Sequence, residues 1–190
     1  MGVGCLEMIS ARVSGVMYTQ NPTQDGDKAV IITAVYGLPK GAVNGSHPSD
    51  TFVLERNENL DLRTQYLAHK TEQLISGPDQ GVVNAPVSSE DQDQPCLALD
   101  RLRELASAGL QIEAHFGLPQ DIEWALTDDG RLVFLQTRPL SLGHTEQKPA
   151  HSDLTPLLGG GQTASPGVGS GEVFHVETDA DLVLFPEQGV

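Results

Sequence analysis

The chain has 190 residues, an apolar fraction of 38%, and a formal charge of −15 from 26 acidic and 11 basic side chains. The apolar content is enough for a globular core, while the 20 glycines and 12 prolines follow no fibre-like period. The negative charge disfavours nucleic acid and anionic membrane as partners, and the sequence has neither a run of about 18 apolar residues that would cross a bilayer nor a signal-peptide start at Met1–Ser10, which makes the cytoplasm the expected compartment.

Cys5 and Cys96 lie too far apart for a CxxC or zinc-ligand spacing and read as buried small hydrophobes or ordinary thiols. In chain order, Val13–Tyr18 is a short apolar strand that ends at Asn21-Pro22, where proline restricts the preceding residue to extended or turn geometry. Ala29–Tyr36 is a β-branched run expected to form a central strand buried on both faces. After the glycine-punctuated loop Gly37–Gly45, Thr51–Glu55 alternates as a further strand. Residues 57–95 are polar and irregular, with short strands and a loop expected. Between Cys96 and Phe116, Leu102, Leu105, Ile112 and Phe116, with Gly109 between them, keep the spacing of an amphipathic helix that Gly117-Leu118-Pro119 terminates.

Asp121–Pro139 reads as a hairpin around Asp129-Gly130, a dipeptide favoured in two-residue turns. That turn pairs Asp128 with Arg131 and places Ile122, Trp124 and Leu126 opposite Thr137, Leu135 and Val133, giving the ribbon one apolar side. On the other side Glu123 faces Gln136 and Asp121 faces Arg138. A carboxylate and an amide oxygen about 5 Å apart at their Cβ atoms can both reach a hard cation such as magnesium, and an adjacent guanidinium can hold a phosphoryl group. The same alternation also suits an ordinary half-exposed hairpin, with Asp121–Arg138 a surface ion pair worth about 0–1 kcal/mol. A one-residue bulge is expected to shift the register and separate Glu123 from Gln136.

The run Pro119–Leu140 (PQDIEWA…RLVFLQTRPL), preceded by Ile112–Gly117 (IEAHFG), resembles the end of the ATP-grasp domain of phosphoenolpyruvate synthase, pyruvate phosphate dikinase and related dikinases. Ser14–Pro22 (SGVMYTQNP) resembles that family's SGVMFTRNP segment, Gly37–Gly45 (GLPKGAVNG) its GLGEAVVSG loop with Lys40 in place of an acidic residue, and Thr163–Gly171 (TASPGVGSG) the opening of its swivelling phosphohistidine domain. The resemblance implies magnesium and ATP as cofactors: Glu123 and Gln136 holding the metal, Arg138 contacting phosphate as the catalytic cation, and Met8 lining the adenine pocket. Taken alone, Met8 suits a core position better than a ligand-lining one. Leu6 stands where the family has glutamine.

The implied fold is α+β: the C-terminal part of an ATP-grasp domain over 1–142, a mixed or antiparallel sheet with packed helices; a linker over 143–160; and a partial swivelling β/α domain over 161–190. None of His47, His69, His115, His144, His151 or His175 sits in the family's phosphohistidine setting. The expected function is the ATP- and magnesium-binding portion of a pyruvate, water dikinase-like phosphotransferase, which passes phosphate from ATP through its own histidine to pyruvate. The other nucleotide-binding subdomain would precede Met1, so this fragment is expected to be inactive alone. The alternatives are a related enzyme acting on another acceptor, an antibiotic or a glucan, and a non-catalytic nucleotide-binding module.

Overall fold

A computed structural model describes residues 7–24, 26–40, 47–77 and 81–141, all within the first of the two units into which the chain divides, Met1–Gly143. The linker expected at 143–160, the domain expected at 161–190, and Cys5, Leu6, His144, His151 and His175 lie outside the described residues. The described elements are β1 (Val13–Tyr18), β2 (Val30–Tyr36), β3 (Asp50–Leu54), β4 (Leu62–Tyr66), β5 (Glu72–Ser76), β6 (Val82–Pro86), α1 (Leu99–Phe116), β7 (Gln120–Leu126) and β8 (Leu132–Pro139).

The fold is α+β. Six strands form one sheet in the order β4-β3-β2-β1-β7-β8, with every pairing antiparallel. The polar stretch from residue 57 supplies β4 to this sheet, while β5 and β6 form a separate ribbon joined to the end of β2 by Leu38 N–H donating to Leu74 O at 2.7 Å. β2 is central, as expected, but its two faces are buried unequally: Val30, Ile32 and Ala34 are fully buried, whereas on the other face Val35 is buried and Ile31 and Thr33 are half-buried.

The buried face carries α1. Its Leu102, Leu105 and Ala106 join Val13, Met17, Ile32, Phe52, Ile122, Trp124 and Leu126 in one core. Gly109 lets the helix approach the sheet, since a Cβ there would collide with the Met17 side chain, only 2.9 Å from its Sδ. The helix begins at Leu99 rather than Cys96, and Phe116, expected on the apolar stripe, is 52% exposed in its last turn. Gly117 caps it at φ 75°, its N–H donating to Glu113 O.

Asp50, at the start of β3, is fully buried. One carboxylate oxygen accepts from Lys70 Nζ at 2.8 Å and from Ala68 N–H at 2.9 Å, and the other accepts from Cys96 N–H at 2.8 Å. Lys70, 1% exposed, also donates to Ala68 O and lies 6.0 Å from the centre of the Tyr36 ring. The pair thus ties β3, the β4–β5 connection and the approach to α1 together. Burial and the Asp50 charge push the nearby Cys96 thiol pKa up, which keeps this free cysteine protonated.

At the opposite end of the sheet Arg63 bridges Asp27 (2.9 and 3.1 Å) and Glu55 (2.5 and 3.0 Å). The Arg63 hydrogen bonds hold the Asp27 carboxyl down at about 2.

Two stability predictions follow from these groups. Asp50→Ala leaves the Lys70 ammonium buried without a countercharge and is expected to cost about 3–5 kcal/mol in urea unfolding, a loss that adding Lys70→Met partly restores. Asp27 has a depressed pKa, so its contribution is fully present above its unfolded value near pH 4 and disappears as pH falls through about 2. An Asp27→Asn variant should therefore be less stable by about 1–2 kcal/mol at neutral pH, and the gap should close towards pH 2.

Candidate functional site

The polar patch is built on three adjacent strands, β1, β7 and β8. The β7–β8 connection is not the expected two-residue turn. Thr127 N–H donates to Arg131 O and Gly130 N–H to Thr127 O, both at 3.0 Å, with Gly130 at φ 81°. This makes a three-residue loop, Asp128-Asp129-Gly130, in which the left-handed position falls to glycine. Leu126 consequently pairs with Leu132 rather than Val133, and Trp124 with Phe134 rather than Leu135.

A bulge then intervenes between Glu123 and Trp124, with Leu135 the extra residue on β8. It returns the register by one position, and from there Glu123 pairs with Gln136, Ile122 with Thr137, and Asp121 with Arg138. The bulge that was expected to separate Glu123 from Gln136 instead restores their pairing, because it offsets the extra loop residue.

Alternation turns Ile122, Trp124 and Leu126 into the core, all at 1% exposure or less, and puts Asp121 and Glu123 on the face away from α1. On β1 the cross-strand neighbours on that face are Tyr18 beside Asp121 and Val16 beside Glu123. Two rows result: Arg138, Asp121 and Tyr18 in one; Gln136, Glu123 and Val16 in the next.

Asp121 anchors Arg138. Its Oδ2 accepts from Arg138 Nε at 2.8 Å and lies 2.7 Å from Nη2, with the carboxylate side chain 10% exposed and the guanidinium 67% exposed. The hydrogen bond and charge of Asp121 raise the Arg138 pKa further, so the cation is permanent. Burial and the charge of Asp121 raise the Tyr18 phenol, Arg138 opposing, and leave it protonated at neutral pH. Glu123 is half-buried and Gln136 exposed, and neither side chain hydrogen-bonds to a described residue. Their oxygens are available to a ligand.

No cluster of three or more His, Cys, Asp or Glu side chains suited to a metal occurs among the described residues. The donor set of one carboxylate and one amide oxygen fits a cation that completes its coordination with phosphate oxygens and water. Met8 lies apart from this patch in the chain leading into β1, at the end remote from Tyr18, and is 64% exposed, so it is not a core side chain. Lys40 is exposed; residues 41–46 of the loop it begins lie outside the described residues. His115 stacks edge-on against Phe116 with ring centres 5.1 Å apart, and His69 bonds Asp93 at 2.8 Å. Neither touches the patch residues. A cavity of about 780 Å³ opens at the far end of β1, lined by Arg12, Tyr36, Gln73, Asp91 and Cys96 among others, and contains none of the patch residues.

Tyr18 escaped the sequence reading. Its alternation with Met17 places it on the polar face of β1, but nothing local joins β1 to a strand about a hundred residues later.

Comparison with known proteins bears on this surface. Residues 1–156 match the family model described as pyruvate phosphate dikinase, AMP/ATP-binding domain. A probable phosphoenolpyruvate synthase of Methanocaldococcus jannaschii is 31% identical over 93% of this chain and 15% of its own length. Phosphoenolpyruvate synthase of Pyrococcus furiosus is 31% identical over 90% of the chain and 22% of its own length, and rifampicin phosphotransferase of a Streptomyces species is 33% identical over 74% of the chain and 16% of its own. The chain thus spans about a fifth or less of the length of these relatives. With its family model covering most of the sequence and relatives above 30% identity along nearly all of it, the chain belongs to the phosphoenolpyruvate synthase and pyruvate phosphate dikinase family, in the part of it that binds AMP or ATP.

Proposed function

We propose that this chain is the ATP- and magnesium-binding portion of a phosphoenolpyruvate synthase-like phosphotransferase, the C-terminal half of an ATP-grasp cleft. The observation that carries the reading is the pairing of Glu123 with Gln136 beside the anchored Arg138 on the face away from α1. In this proposal Glu123 and Gln136 hold magnesium, Arg138 binds phosphoryl oxygens, and Met8 borders the base at the other end of β1. Magnesium, when bound, would supply Lewis-acid neutralisation of phosphate charge.

The chain's own residues do the positioning. Asp121 takes up the Nε and Nη2 donors of Arg138 on one oxygen, fixing the plane of the guanidinium and leaving its remaining N–H groups to a phosphate. The permanent charge of that guanidinium stabilises phosphoryl charge without a proton transfer. Glu123 and Gln136 bring one negative charge and one neutral dipole to the cation, which leaves it net positive towards phosphate. The formal charge of −15 is no obstacle, because cation and guanidinium converge on the phosphates locally.

The acceptor in this reading is pyruvate, reached through a phosphohistidine carried elsewhere in such an enzyme, and the compartment is the cytoplasm. Residues 143–160 and 161–190 are assigned to the linker and the start of the swivelling domain. A second reading, in which an antibiotic is the acceptor, fits the 33% identity to the Streptomyces rifampicin phosphotransferase over 74% of the chain, but no better than the first fits the phosphoenolpyruvate synthases. Both readings share the nucleotide surface described here.

Calorimetry with magnesium-ATP tests the assignment. Glu123→Ala is expected to weaken binding at least about tenfold, the equivalent of one lost metal ligand at about 1.4 kcal/mol; equal affinity for wild type and variant would overturn the metal assignment.

A further inference from the structure

Resting on that nucleotide reading, we propose that the hydroxyl of Tyr18 is a further binding group of the site, a neutral hydrogen-bond donor to the phosphate chain.

The placement comes from the sheet. β1 lies against β7 with Tyr18 opposite Asp121, and β8 lies against the other edge of β7 with Arg138 opposite the same Asp121. Asp121 is therefore flanked on one face by a guanidinium and a phenol, each about 5 Å away at the Cβ atoms. The next row along the strands is Gln136, Glu123 and Val16, so Glu123 is the diagonal neighbour of Tyr18 across β1 and β7, at a separation of about 7–8 Å that an aromatic side chain spans. A phosphate on a cation held by Glu123 therefore lies within reach of the phenol.

The three side chains differ in what they have left to give. Asp121 is nearly buried and already committed through Oδ2 to Arg138. Tyr18 is half-buried, paired with Asp121 on β7 and Ile31 on β2, and its hydroxyl makes no hydrogen bond to a described residue. A half-buried phenol with an unused donor, flanked by a strand on either side, is placed to meet an oxygen arriving from solvent. Beside a permanent cation, a neutral donor adds a directed hydrogen bond without a further charge to desolvate.

The experiment separates metal from phosphate. Wild type, Tyr18→Phe and Glu123→Ala are titrated with Mn²⁺ alone and with its tripolyphosphate complex, after thermal unfolding has shown that Tyr18→Phe melts with wild type. Tyr18→Phe should bind Mn²⁺ as wild type does but bind manganese tripolyphosphate about three- to tenfold more weakly, the loss of one hydrogen bond to a charged acceptor. Glu123→Ala should weaken both. If Glu123→Ala weakens both and Tyr18→Phe matches wild type for the complex, the tyrosine has no role and the nucleotide site stands. If Tyr18→Phe loses Mn²⁺ and the complex equally, its effect is on the metal site and the phosphate role is wrong. If Glu123→Ala matches wild type in both titrations, the underlying site fails and the tyrosine inference fails with it.

Discussion

The buried carboxylate of Asp50 is the constraint from which the rest of the fold takes its shape. A charge with no exposure to solvent persists only when it is paired and its lone pairs are filled, and Asp50 meets both conditions by drawing on Lys70, Ala68 and Cys96. Those three residues belong to stretches that leave β4 and enter α1, so satisfying one side chain also decides where the connections on that side of the sheet lie. The Lys70 ammonium fills its own needs from the same carboxylate and from Ala68 O. With these connections settled, α1 lies against the sheet, and its Leu102 and Leu105 share one core with Met17 and Trp124.

Helix α1 covers one face of the six-stranded sheet, and this asymmetry is what makes a site possible. Met17 and Ile122 point towards the helix and pack beneath Gly109, while the residues one step away in sequence, Val16, Tyr18, Asp121 and Glu123, point the other way. Strand alternation thus converts a single apolar contact into a polar surface on the reverse side. The surface is positioned by strands rather than by loops, which holds the oxygens of Glu123 and Gln136 and the guanidinium of Arg138 at a spacing the ladder defines. Asp121 links the two layers, being almost buried itself yet bonded to an arginine that is mostly exposed.

The pairing of Glu123 with Gln136 shows how far local pattern reaches. Asp129-Gly130 announces a hairpin, and the alternation of Ile122, Trp124 and Leu126 announces which side is apolar. Neither says how many residues the loop holds. Thr127 closes the turn against Arg131, lengthening it by one, and Leu135 bulges out and removes the offset. Two departures from the simple ribbon cancel at the residues with candidate chemistry and remain visible between them, where Trp124 meets Phe134. β2 departs for a related reason: a run of β-branched residues reads as buried on both faces, but among the described residues only one face of this sheet receives a helix. Phe116 departs because it lies in the last turn of α1, where the helix has run past the core.

What the residues determined by themselves were the elements with a strong period or punctuation: β1, the core of β2, the middle of α1 with its Gly117 stop, and the two strands around Asp129-Gly130. These follow from short-range physics, the preferences of β-branched and small residues and the turn geometry that glycine permits. The tertiary structure alone decided that β7 lies beside β1, that a lysine and an aspartate twenty residues apart share a buried bond, and that Tyr18 stands next to Asp121. Those relations depend on which distant surfaces bury one another, and no local pattern carries that information, because many pairings of the same strands would satisfy the same alternation.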